Sequence, residues 1–156
     1  LITLLDTIPP YWAPMRELFY KRMGDSRTEE GLALLKERSP LNHADKIKKP
    51  LLIGQGANDP RVKQAESDQI VQAMVRQNIP VTYALFTDEG HGFARPENRF
   101  AFYAVAENFL AQHLKGRAQP ITAEDFENSS LQVPEGVMGV RGLADALANH
   151  KATEKH

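Results

Sequence analysis

Leu51-Leu52-Ile53-Gly54-Gln55-Gly56-Ala57-Asn58-Asp59-Pro60-Arg61-Val62 opens the stretch on which the fold turns, and Val81-Thr82-Tyr83-Ala84-Leu85-Phe86-Thr87-Asp88-Glu89-Gly90-His91-Gly92-Phe93 closes it. Leu51-Leu52-Ile53 is a short apolar run between Pro50 and Gly54, which suits a strand buried on both faces of a parallel sheet. Val81–Phe86 is rich in β-branched and aromatic residues and reads as the next strand. Between them, 63–78 reads as a helix with Ile70, Ala73, Met74 and Gln77 on one face, broken by Pro80. Strand, helix, strand makes a right-handed βαβ unit. Parallel neighbours lie about 4.8 Å apart and carry their following loops on one edge, where open α/β sheets place function.

Downstream, Pro96 suits the first turn of a long helix over 96–113, with Phe102, Val105, Ala106, Phe109 and Leu110 as its core stripe. Upstream, Pro9, Pro10 and Pro14 break up an irregular segment before a short helix around 15–23. Ser26-Arg27-Thr28-Glu29 has capping-box spacing ahead of Leu32, Leu34 and Leu35, with Asp25 or Ser26 as the cap. Pro40 ends that helix and opens a polar loop over 39–50 anchored by Ile47. After Gly116 the composition changes. Pro120, Pro134, Gly136 and Gly139 interrupt a stretch of little periodicity, so 117–156 is expected to be a partly irregular extension with a short helix over 143–149 and a frayed end at 151–156.

The 156 residues carry a net charge of −1, which gives no pull towards nucleic acid or an anionic membrane. No apolar run is long enough to span a bilayer. There is no cysteine, which excludes disulfides and a cysteine nucleophile and leaves the compartment open. His43, His113, His150 and His156 show no metal-ligand spacing, and no cofactor is expected. The opening Leu1-Ile2-Thr3-Leu4-Leu5 lacks the basic region and cleavage site of a signal peptide, and a chain that begins inside a domain is expected.

Two loops hold candidate chemistry. Asp59, past the first strand, taken alone reads first as an Asx turn or a cap on the helix from Lys63; from the same place it can also reach across to a histidine. His91, past the second, could be a turn histidine satisfied by a nearby carboxylate, while glycines on both sides free its backbone and clear space around the ring. Asp88 and Glu89 beside it either raise its basicity or are simply solvated. Taken together, the loops place Asp59 and His91 to touch, at about 2.6–3.2 Å. A buried Asp accepting from Nδ1–H fixes the tautomer and leaves Nε2 free to take a proton from a serine hydroxyl. The order acid then histidine is that of an α/β-hydrolase, whose nucleophile elbow Gly-x-Ser-x-Gly precedes both. No such elbow occurs here; Ser26, Ser39, Ser67, Ser129 and Ser130 all lack its glycines.

Ser39-Pro40-Leu41, Ile47-Lys48-Lys49-Pro50-Leu51-Leu52, Gly56 with Asp59-Pro60-Arg61-Val62, and Glu89-Gly90-His91-Gly92-Phe93 resemble the C-terminal end of the catalytic domain of the prolyl oligopeptidase family, the S9 serine peptidases that include dipeptidyl and acylaminoacyl peptidases. The resemblance covers about 1–115. It implies an α/β-hydrolase fold, three-layered in the parent, of which 1–116 is the C-terminal part. It makes Asp59 the triad acid and His91 the base. Arg61 matches an arginine that in some members helps hold a substrate carbonyl, although alone it could as easily pair with a local carboxylate. Tyr11 and Trp12 either line a substrate pocket or plug the core. The family's serine, oxyanion donors and β-propeller lie upstream, so a fragment inactive alone is expected, from a parent that hydrolyses peptide bonds in oligopeptides. An esterase or lactone hydrolase fragment, or a non-catalytic interaction domain, are the alternatives. Helix faces left uncovered and an unpaired edge at 51–53 point to a homo-oligomer, most simply a two-fold dimer.

Overall fold

In the computed structural model, which describes residues 1–153, the two apolar runs become parallel strands β1 (Leu51–Gly56) and β2 (Val81–Phe86), in register from Leu51 opposite Val81 to Gly56 opposite Phe86. The helices are α1 (Ile2–Asp6), α2 (Arg16–Arg22), α3 (Glu29–Arg38), α4 (Gln64–Arg76), α5 (Pro96–Leu114) and α6 (Leu143–Thr153). The crossover α4 lies where the periodicity put it and buries Val71, Ala73 and Met74. Pro96 starts α5 as expected, and Lys115 in the left-handed conformation ends it.

A third strand, β3 (Leu131–Glu135), pairs antiparallel to β2, giving the order β1-β2-β3. It lies in the stretch expected to be irregular. Pro134 cannot donate to a ladder, but β3 is a sheet edge, where proline is tolerated. β2 is therefore the fully buried central strand. Ala84 and Phe86 pack with α5 residues Ala101 and Val105 and with Phe126, Val140, Leu143 and Ala146 from beyond Gly116. Val81, Tyr83 and Leu85 pack on the other face with Val71 and Met74 of α4. The sheet thus has helices on both faces, and residues after Gly116 share the core of those before it.

Several expectations change. β1 is only half-buried over Leu51–Ile53, because it is an edge strand with β2 as its one neighbour among the described residues. Leu110 leaves the α5 core stripe and is exposed, as are Phe100, Tyr103 and Leu114 on the same helix and Val75 on α4. The cap of α3 is Thr28, whose hydroxyl accepts from the Gly31 amide at 3.0 Å, rather than Asp25 or Ser26. Asp25 instead accepts from the Arg27 amide and guanidinium, which holds 25–27 as a turn and delays the helix. The loop expected over 39–50 contains a 3-10 helix, Pro40–Lys46. α6 runs on to Thr153, so 151–153 are helical, and the rest of the expected frayed end lies outside the described residues.

Candidate active site

Because the register of β1 and β2 is unshifted, both strands end side by side at Gly56 and Phe86. The loops that follow are tied together through the backbone. The Ala57 amide donates to the Phe86 carbonyl at 2.9 Å, the Asn58 amide to the Glu89 carbonyl at 2.9 Å, and the Asn58 side chain to the Thr87 carbonyl at 2.9 Å. Gly56 makes this possible: a Cβ there would sit 2.2 Å from the Gly90 carbonyl oxygen and 2.6 Å from that of Glu89.

Asp59 is buried, and its two oxygens do different work. Oδ1 accepts from the amides of Arg61 at 2.8 Å and Val62 at 2.9 Å. Oδ2 meets His91 Nδ1 at 2.8 Å. The Asx-turn reading and the histidine reading are thus both realised, one on each oxygen. Burial pushes the Asp59 carboxyl up, but the Val62 and Arg61 amides and the His91 ring outweigh it and hold it below its ordinary value. An ionised carboxylate only accepts, so Nδ1 carries the proton. In the neutral ring Nε2 is then the free lone pair. The imidazole is 42% exposed while its carboxylate partner is 8% exposed, so the carboxylate is enclosed and the imidazole reachable.

Behind Asp59, buried Gln55 donates to the carbonyls of Gly56 and Val62 and accepts from Ser67 Oγ at 2.6 Å, bracing the Asp59 loop against α4. Around His91, Gly92 adopts φ +95°, a conformation that favours glycine, whereas Gly90 needs no special angle. Phe93 anchors the far side of the loop, with its ring centroid 4.4 Å from that of Phe86 and 5.2 Å from that of Phe102.

Asp88 and Glu89 do not act as sequence adjacency suggested, because neither turns towards the imidazole. Glu89 is buried, and its carboxylate accepts from the Ala94 and Arg95 amides and from Asn98 Nδ2. Asp88 pairs with Arg95 and accepts from Ser130 Oγ and Asn98 Nδ2. The exposed Arg61 forms no ion pair with a carboxylate among the described residues. Its Nε lies 3.4 Å from Tyr11 Oη, and its guanidinium sits 5.9 Å from the Trp12 ring centroid. Tyr11 is 60% exposed, so it lines the surface beside Arg61 rather than plugging the core.

A sequence model of the prolyl oligopeptidase family matches residues 10–117, a span that holds both loops. The chain belongs to that family. It is 69% identical over 148 residues to dipeptidyl aminopeptidase BIII of Pseudoxanthomonas mexicana, covering 95% of this chain and 21% of that protein. It is 47% identical over 150 residues to dipeptidyl peptidase family member 6 of Caenorhabditis elegans, covering 96% of this chain and 20% of that protein. The chain therefore spans about a fifth of the length of these curated relatives. Among solved structures, a puromycin-hydrolysing peptidase of Mycobacterium tuberculosis superposes with a TM-score of 0.58 at 28% identity, covering 78% of this chain and 18% of that one. A puromycin hydrolase superposes with a TM-score of 0.63 at 24% identity over the same shares, which speaks for the fold. The three-layer α/β arrangement is that of the α/β-hydrolases.

Proposed function

We propose that this chain supplies the acid and the base of a Ser-Asp-His triad to a serine peptidase whose nucleophile lies outside these residues. The observation that carries the reading is the 2.8 Å contact from His91 Nδ1 to Asp59 Oδ2, with the other Asp59 oxygen already held by two amides. In this mechanism Nε2 removes the proton from the serine hydroxyl as its oxygen attacks the scissile carbonyl. The imidazolium that forms is stabilised by Asp59 and returns the proton to the leaving amine. Arg61, uncommitted to a carboxylate, donates to a substrate carbonyl beside Tyr11 and Trp12. Likeness to two proteins named as dipeptidyl peptidases favours removal of dipeptides from peptide N-termini over ester or lactone hydrolysis.

The test compares the chain alone with a full-length parent. A fluorophosphonate probe should label a serine upstream of Leu1 in the parent and none within the chain alone, because an Asp–His pair without nucleophile and oxyanion donors has nothing to activate. Dipeptidyl chromogenic substrates should be cleaved by the parent in preference to acylated amino acids. Labelling of any serine in 1–156 would overturn the assignment.

The chain alone should also self-associate as a two-fold dimer. The edge of β1, unpaired among the described residues, and the exposed Phe100, Tyr103, Leu110 and Leu114 of α5 support this reading. Sedimentation giving a monomer at all concentrations would sink it. A β-propeller in the parent remains part of the proposal by family membership.

A further inference from the structure

We propose that Glu89, locked in place by Asn98, is the positioning residue for His91. Two buried side chains, one in the His91 loop and one at the start of α5, find no role in the proton-transfer chemistry. Glu89 is 2% exposed and Asn98 is fully buried, yet one carries a charge and the other a polar amide. Such groups are costly to bury unless hydrogen-bonded, and both are. Their bonds converge on the loop that holds the imidazole.

Glu89 touches both loops through hydrogen bonds. Its backbone carbonyl receives the Asn58 amide at 2.9 Å, one residue before Asp59. Its side chain spans the base of the His91 loop and receives the Ala94 amide at 2.8 Å and the Arg95 amide at 2.9 Å. The segment from Gly90 to Phe93 is thereby closed into a ring, with His91 at its apex and the start of α5 at its base. With glycine at 90 and 92, that ring has little stiffness of its own. The carboxylate clamp supplies the stiffness.

Asn98 aims the clamp. Nδ2 donates to Glu89 Oε1 at 2.8 Å and to Asp88 Oδ1 at 2.9 Å, and Oδ1 accepts from Ser129 Oγ and the Ser130 amide, each at 2.9 Å. Asn98 is in the first turn of α5, and Ser129 and Ser130 lead into β3. The network therefore fixes the His91 loop against α5 and the lead into β3, so that Nδ1 stays on Asp59 and Nε2 keeps its direction.

This proposal rests on the triad reading, and the test separates the two. In the full-length parent, Glu89→Gln replaces one accepting oxygen with a donor facing amide donors. Its kcat should fall about 100-fold, the loss that a misplacement near 1 Å brings, while KM stays within about twofold. The double variant with Asp59→Asn should be no slower than Asp59→Asn alone, because both act through one contact. A merely structural Glu89 would instead lower the fraction of active enzyme without changing kcat per titrated serine. An unchanged kcat per active site, or losses that multiply in the double variant, would overturn the proposal. If Asp59→Asn and His91→Ala themselves leave kcat intact, the triad reading fails and Glu89 falls with it. If Glu89→Gln does not fold, Asn98→Ser, which keeps both backbone bonds to Glu89, should still lower kcat at unchanged KM; a wild-type kcat there overturns the proposal.

Discussion

Gly56→Ala should damage the site far more than the same change at Gly90 beside His91. An added Cβ would lie 2.2 Å from the Gly90 carbonyl oxygen, with the Glu89 carbonyl carbon at 2.7 Å. Reaching ordinary contact at 3.4 Å requires a shift of about 1.2 Å, and the atoms that must shift are backbone. The shift separates the two loops along the direction that holds them together. The Asn58–Glu89 bond at 2.9 Å and the Asp59–His91 contact at 2.8 Å would each open to about 4 Å if they took the whole movement. Overpacking of this kind costs about 1–3 kcal/mol in stability. A misplacement near 1 Å costs about 100-fold in rate. The assay pairs urea unfolding with kcat of the full-length parent on a dipeptidyl chromogenic substrate. Gly90→Ala is the control, since its Cβ would meet only the Asn58 carbonyl at 4.0 Å and should be almost silent. A Gly56→Ala enzyme with kcat within about twofold of the parent would refute the claim that close backbone approach sets the Asp59–His91 distance.

Other outcomes follow from the same contacts. Asp59→Asn and His91→Ala in the parent should lower kcat by about 10⁴-fold or more with little change in KM, since triad members act as a unit; a variant at near-parental rate would point to another base. Asp59 and Glu89 both titrate below their ordinary values of 3.8 and 4.5, Asp59 despite its burial and Glu89 because Asn98 and two amides outweigh its burial. Depressed carboxyls stabilise fully above those values and lose that contribution as pH falls through their folded-state values, so Tm should hold from about pH 7 to 5 and drop below about pH 4. A Tm unchanged down to about pH 3 would contradict those bonds. Tyr83→Phe removes a buried hydroxyl that donates to Asp68 Oδ1 at 3.0 Å on the sheet face away from α5. It should cost about 1 kcal/mol in denaturant unfolding and leave kcat unchanged; a kcat loss would tie that face to the chemistry.

What could be read from the residues, and what could not, divides along physical lines. The runs 51–53 and 81–86 and the helix periodicity between them report burial, and burial is what places parallel strands and crossover helices. From that alone Asp59 and His91 fall on one edge, and the structure brings them to 2.8 Å. β3 was not legible because five residues with a proline and two polar positions carry too little apolar signal; only its pairing with β2 makes it a strand. Its absence hid the Ser129–Ser130 end of the network that holds Asn98. Glu89 was misjudged for a different reason. Adjacency to His91 suggested a charge interaction, but neighbouring side chains diverge, and the Glu89 carboxylate turns instead to the amides just before α5. A signal was present: an acidic residue shortly before a Pro-initiated helix is well placed to satisfy that helix's free amides. Gly56 offered one too, since glycine at the end of a buried run marks close backbone approach. Both signals concern what holds Asp59 and His91 together. Motif residues announce chemistry through their type, whereas the residues that set a distance announce themselves only through what they touch, and so the pair was legible before its frame.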